Sequence, residues 1–245
     1  MNYTGVDLRC VQEEGICGDR FPWRECIVVL ALCLSPLSKG YVTGYMSPTL
    51  DELEAAGLLP TPFAVDFFAA AIYLGSALSC FVSGWYADRF GRRGALMASA
   101  VPLFCGWVLI AGQWGCASLL VGRLLNGFGS AVVFTTFNIY VAETVAARRR
   151  GCWTVLGEAS ISVGALLALG LGQWLAARWL AAVAAVLAVS VFVAVSRVPE
   201  TPRYYLEHCR LEDARRSLDW IRGAPAEAEF AALEAQLDGH PSHKV

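Results

Sequence analysis

Gly84 to Arg93 reads GWYADRFGRR, four charges in six positions directly after an apolar run that begins at Phe67. Such a run needs a membrane or a large core to hide in, and the chain around it favours the membrane. Of 245 residues 56% are hydrophobic and 16% charged, with a mean hydropathy of +0.50, well above what a soluble domain usually shows. The formal net charge of -2 leaves no overall basic footprint for nucleic acid. The charged stretch then reads as the turn between two membrane crossings.

Outward from that turn, six apolar stretches have the length of a spanning helix, the one fold besides a closed barrel that satisfies its own backbone in lipid. They run from Glu25 to Tyr45, Phe67 to Ala87, Ala95 to Gly112, Cys116 to Val141, Cys152 to Leu175 and Trp179 to Ser196. Basic residues orient them: Arg89, Arg92 and Arg93 follow the second span, Arg148, Arg149 and Arg150 the fourth, and Arg197, Arg203, Arg210, Arg215, Arg216 and Arg222 the sixth. The opposite connections carry Asp51, Glu52 and Glu54, no charge, and Arg178 alone. Both termini are thereby expected in the cytoplasm. The expected fold is an all-α membrane protein, with a cytoplasmic tail over 1–24, a six-helix transmembrane bundle over 25–198 and a cytoplasmic amphipathic segment over 199–245.

Pro199 and Pro202 stop the sixth helix. Beyond them Leu211, Ala214, Leu218 and Ile221, and then Phe230, Leu233 and Leu237, recur at helical spacing and predict two short amphipathic helices. The first 24 residues hold Asp7, Arg9, Glu13, Glu14, Asp19, Arg20 and Arg24 without an apolar core segment, so a cleavable signal peptide is not expected. Asn2-Tyr3-Thr4 fits a glycosylation acceptor, which the predicted topology places on the wrong side. The nine cysteines show no metal-ligand spacing, and His208, His240 and His243 all fall in the tail. With no catalytic dyad, metal cluster or phosphate loop, neither an enzyme nor a cofactor or metal is expected. The echo between RRGALM at Arg92 and RRGCWT at Arg149 adds a little in favour of an internal repeat.

A generic anchoring loop explains the arginines of GWYADRFGRR but not Asp88, Gly84 or Gly91. Gly84 would let another helix approach closely, Gly91 would permit a tight turn, and Asp88 could pair with a cation or a helix N-terminus. The pattern resembles the loop signature of the major facilitator superfamily. GRLLNGFGSA at Gly122 to Ala131, YVAET at Tyr140 to Thr144 followed by RRRG, and PETPRYYL at Pro199 to Leu206 are similar to signatures of its sugar porter family. LSPLSKGYVTGYMSPTLDEL at Leu34 to Leu53 is closest to the facilitated trehalose transporters and class III hexose facilitators, and the resemblance extends to about Gly223. It implies a facilitative carrier of trehalose, glucose or a similar sugar that works by alternating access in the plasma membrane.

Residue by residue, the resemblance makes Gly84, Asp88, Arg89, Gly91, Arg92, Arg93, Glu143, Arg150, Glu200 and Arg203 a cytoplasmic gate and ion-pair network, to which the fourth-span Arg123 is added. Such carriers have two six-span halves with substrate between them near the bilayer midplane. The chain covers the N-terminal half, so the resemblance implies that it does not transport alone and associates with a C-terminal half or a full-length carrier. Acting as a non-transporting partner or sensor is the alternative. Lys39 and Glu158 are charges at membrane depth that the family pattern does not match. Glu158 stands where sugar porters usually carry a glutamine, about 12 Å along the helix from Arg150 at 1.5 Å per residue. Glu158, Ile161, Lys39 and Thr43 are the expected substrate-binding residues. Lys39 either partly neutralises Glu158 across the cavity or snorkels while Glu158 bonds a neighbouring helix. Val42 occupies the place of the aspartate of proton-coupled relatives, which favours facilitated movement; Glu158 keeps a proton-linked symporter open.

Overall fold

The computed structural model describes residues 23–145 and 147–222, and six positions between 226 and 234. Among them all regular structure is helical: α1 Trp23–Leu32, α2 Leu34–Gly44, α3 Met46–Ala55, α4 Pro62–Gly112, α5 Cys116–Thr144, α6 Ala147–Leu171, α7 Ala177–Ser196, α8 Pro202–Glu207 and α9 Leu211–Arg222. Five stretches are long and apolar enough to cross a membrane. The expected 1–24 tail and the second amphipathic helix fall largely outside the described residues, as do His240 and His243.

The expected first span is a relay of three helices, α1 to α3, that turns at Cys33 and Tyr45 and runs on to Ala55. The cause is local. Pro36 and Pro48 each lie three residues beyond a turn, and a proline lacks the amide for the ladder while its ring presses on the carbonyl four residues back. Asp51, Glu52 and Glu54 therefore sit on α3 rather than in a loop. Glu52 Oε2 accepts the Ala177 amide at 2.7 Å and so caps the first turn of α7.

α4 holds the second and third expected spans. It starts at Thr61, whose hydroxyl accepts the Ala64 amide at 3.2 Å, followed by Pro62 at the first helical position. A straight helix of its 51 residues would extend about 76 Å, more than twice a bilayer core. It turns back at Gly91, with φ 79° and ψ 167°. The fold-back is visible in the packing: a Cβ at Gly127 would run into Ile72, and one at Gly129 would come within 2.7 Å of Leu103 Cγ. Ile72 and Leu103 would stand about 46 Å apart in a straight helix, yet both flank one turn of α5.

Trp107 is fully buried with Tyr45 and Tyr41 edge-on to it at 5.0 and 6.0 Å. Their phenols donate to the carbonyls of Ala177 (2.9 Å) and Leu180 (3.0 Å), tying α2 and the Tyr45 junction after it to α7. Small residues bring α2 onto α6: a Cβ at Gly40 would strike the Ile161 carbonyl, and one at Gly164 the Leu37 carbonyl. Large apolar side chains such as Phe63, Phe81 and Trp174 point outward, as lipid-facing residues do. In α9, Ala214, Leu218 and Ile221 face inward as their spacing predicts, whereas Leu211 is exposed.

Candidate functional site

The charged end of the bundle gathers around the Gly91 turn. Arg92, 5% exposed, projects from the start of the second arm of α4 toward the last turn of α5. Its Nη2 and Nε donate to Glu143 Oε1 at 2.7 and 3.1 Å, and Nη2 lies 3.3 Å from Glu207 Oε2 on α8. Asp88, one turn back and largely exposed, is 3.9 Å from Arg92 Nη1. The other Glu143 oxygen accepts the Thr201 hydroxyl at 2.8 Å. Arg203 reaches Glu143 at only 4.0 Å and bonds Glu207 at 3.0 Å. Three chain segments thus converge on two carboxylates.

Glu200 does different work. Both of its oxygens accept the Arg93 amide at 3.0 Å, and Oε1 also accepts the Thr201 amide at 3.0 Å. Its carboxylate therefore sits at the N-terminus of the second arm of α4, where backbone donors and the helix dipole both favour negative charge. Burial pushes this carboxyl above the usual glutamate range, against the opposing pull of those backbone amides. Arg93 donates to the Ser196 carbonyl at 2.6 Å and Tyr140 to the Pro199 carbonyl at 2.7 Å, so the 197–201 segment is held from both sides.

Gly91 makes this geometry possible, because its φ is open to glycine and a Cβ there would collide with the Glu200 carboxylate. Gly91→Ala is expected to cost about 2–3 kcal/mol from backbone strain and the displaced carboxylate, read by denaturant or SDS titration of the purified chain.

Of the residues expected at the gate, Asp88, Gly91, Arg92, Arg93, Glu143, Glu200 and Arg203 meet here. Gly84 is exposed with open space beside it. Arg89 and Arg150 are exposed, and their side chains make no ion pair among the described residues. Arg123 lies deep in the bundle instead, donating to the Val42 carbonyl at 2.8 Å beneath Phe68 and Tyr45, with ring centroids at 5.1 and 5.8 Å.

A second ion cluster was not expected. Glu25 is fully buried, and its Oε2 accepts from Arg222 at 2.8 Å and Arg149 at 3.2 Å, fastening α9 to α1 and α6. Arg24 adds a bond to the Trp220 carbonyl at 3.2 Å. The only sequence signal was a carboxylate placed at the basic end of the first span.

The expected substrate-binding residues lie on another face. Lys39 is half-buried with its Nζ 3.5 Å over the Phe134 ring. Glu158 is exposed and forms no ion pair with Lys39 within 4.0 Å. Thr43 is exposed one turn beyond Lys39 and donates to its carbonyl at 3.2 Å. Ile161 supplies the backbone on which Gly40 rests.

A model of the family described as sugar (and other) transporter matches residues 27–240. The chain belongs to that family. Within the sugar transporter family, it is 31% identical over 210 residues to the facilitated trehalose transporter Tret1 of Drosophila virilis, covering 84% of this chain and 23% of the relative. It is 30% identical over 203 residues to Tret1 of Bombyx mori, covering 83% of this chain and 40% of that one. Its fold superposes on the proton:xylose symporter XylE bound to 6-bromo-6-deoxy-D-glucose with a TM-score of 0.80 at 21% identity, covering 87% of this chain and 53% of the symporter. A partially occluded, inward-open XylE from E. coli gives a TM-score of 0.79 at 22% identity, with 89% and 60% coverage. This family member therefore spans about a quarter to two fifths of the trehalose transporters it matches and little more than half of the symporter.

Proposed function

We propose that this chain is the N-terminal six-span half of a facilitative sugar carrier of the plasma membrane, which moves trehalose or a hexose by alternating access against a second six-span unit. The observation that carries the reading is the joining of Arg92, Glu143, Glu200 and Arg203 at one end of the bundle, in a chain whose relatives are sugar transporters. Charges at a helix-end interface can trade partners with a second unit, or with water, as the two rock apart, which is what a gate requires. The excess of arginine supports a cytoplasmic place for this end and for both termini. The polar face of α2, α5 and α6, with Lys39, Thr43, Glu158 and Ile161, holds the substrate. A carrier of this kind catalyses no covalent chemistry.

Purified chain in liposomes is expected to give no uptake of labelled trehalose or glucose by itself, and saturable uptake once a complementary six-span half is co-reconstituted. Uptake by the 245-residue chain alone would contradict the requirement for a second half. Glu158, a carboxylate at membrane depth, gives the proton-linked reading its one support; a sugar-induced pH change inside those vesicles would favour it over facilitation.

A further inference from the structure

Three pairs of residues spaced by one helical turn share the face that the proposed function assigns to substrate: Lys39 and Thr43 on α2, Phe134 and Asn138 on α5, Glu158 and Ser162 on α6. They are tied across the helices. Lys39 Nζ rests on Phe134, and α2 meets α6 at Gly40 on Ile161, one turn from Glu158.

The hydrogen-bonding character of this face is uneven. The Thr43 hydroxyl donates to the Lys39 carbonyl at 3.2 Å, the Ser162 hydroxyl to the Glu158 carbonyl at 3.5 Å, and the Asn138 amide to the Phe134 carbonyl at 3.1 Å. Each of these side chains therefore directs a donor to its own helix four residues back, and keeps its oxygen lone pairs for something else. The Glu158 carboxylate, an acceptor only when ionised, takes no hydrogen bond or ion pair at contact distance from any described residue. What remains to donate is the Lys39 ammonium on its aromatic seat and one Asn138 N–H. Acceptors outnumber donors, and the strongest acceptor is unoccupied.

We propose that this face reads its sugar through hydroxyls that donate, with Glu158 as the specificity-determining acceptor, so that an amine in place of the recognised hydroxyl is held and a fluorine there is rejected. This rests on the sugar-carrier reading and deepens it. A hydroxyl and an ammonium both donate to a carboxylate, and the ammonium adds opposite charge; a fluorine donates nothing and leaves the carboxylate desolvated and unmatched. Lys39 supplies the opposite pole, where a ligand atom that only accepts is tolerated.

The test is equilibrium binding, by calorimetry, to the full chain co-reconstituted with a complementary six-span half in lipid nanodiscs, of trehalose, glucose and the single-position amino-deoxy and fluoro-deoxy analogues of glucose. At one ring position at least, the fluoro analogue is expected to bind about tenfold or more weakly than glucose, while the amino analogue at the same position binds as well or better. Glu158→Gln, which adds an amide donor in nearly the same shape, is expected to shrink that amine-over-fluorine ratio about tenfold. Glucose binding with a flat ratio at every position, or a ratio unmoved by Glu158→Gln, overturns the inference and leaves the carrier reading standing. Binding of neither glucose nor trehalose overturns both.

Discussion

Arg92→Met is expected to destabilise the bundle by about 3–5 kcal/mol, because removing one member of a buried pair leaves the other buried and uncompensated. Glu143 and Arg92 each have side chains 7% exposed. Without the guanidinium, Glu143 keeps the Thr201 hydroxyl and an arginine at 4.0 Å that is itself half-exposed, too little to solvate a carboxylate. Glu207 loses its 3.3 Å partner at the same time. Arg92→Lys should recover only part of the loss, since an ammonium cannot present two donors in a fixed fork to Glu143 Oε1. The double variant Arg92→Met with Glu143→Met should be more stable than Arg92→Met alone, because a hydrophobic pair replaces an orphaned charge. Unfolding of all three by SDS titration, with helicity as the signal, checks the ordering. A double variant no better than the single one would mean that Glu143 is not stranded by the loss of Arg92.

The parts of this molecule written in period and composition were legible in advance. Apolar runs long enough to span a bilayer can be little else, and Gly91 inside GWYADRFGRR marked the fold-back that lets α4 serve as two spans. The proline-induced turns of the first span were equally present in the sequence, at Pro36 and Pro48, but hydropathy averages over such residues. Arg92, Glu143 and Glu200 each stand in one of the quoted motifs, yet no motif indicates that Glu200 bonds backbone amides while Glu143 bonds a guanidinium. That difference depends on where the 197–201 segment crosses the end of α4. The choice between Arg149 and Arg150 shows the same limit: adjacent arginines lie about 100° apart around α6, and only the packing of α1 decides that Arg149 is the one to meet Glu25. The Glu25 to Arg222 bond joins residues from opposite ends of the chain, a relationship carried by no local pattern.

Three glycines of α6, each changed to alanine, should separate by what their new Cβ meets. At Gly170 nothing lies within 4 Å, so Gly170→Ala should be neutral or stabilising by up to about 1 kcal/mol through helix propensity. At Gly157 the Cβ would meet the Phe137 ring, a side chain able to rotate aside within a packed core, for a loss of about 1 kcal/mol. At Gly164 it would meet the Leu37 carbonyl and the Tyr41 amide nitrogen, which are backbone and cannot move unless all of α2 moves. Gly164→Ala should therefore cost about 3 kcal/mol, and Gly164→Leu should prevent close association of α2 with α6. Thermal unfolding in detergent reads the order directly. The same substitution bears on the proposed sugar binding, because separating α2 from α6 carries Lys39 away from Glu158. With the complementary half present, Gly164→Ala should weaken that binding at a temperature where the chain is still folded, whereas Gly170→Ala should not. Equal stability of the two variants would show that the α2–α6 contact is looser than the glycine packing requires.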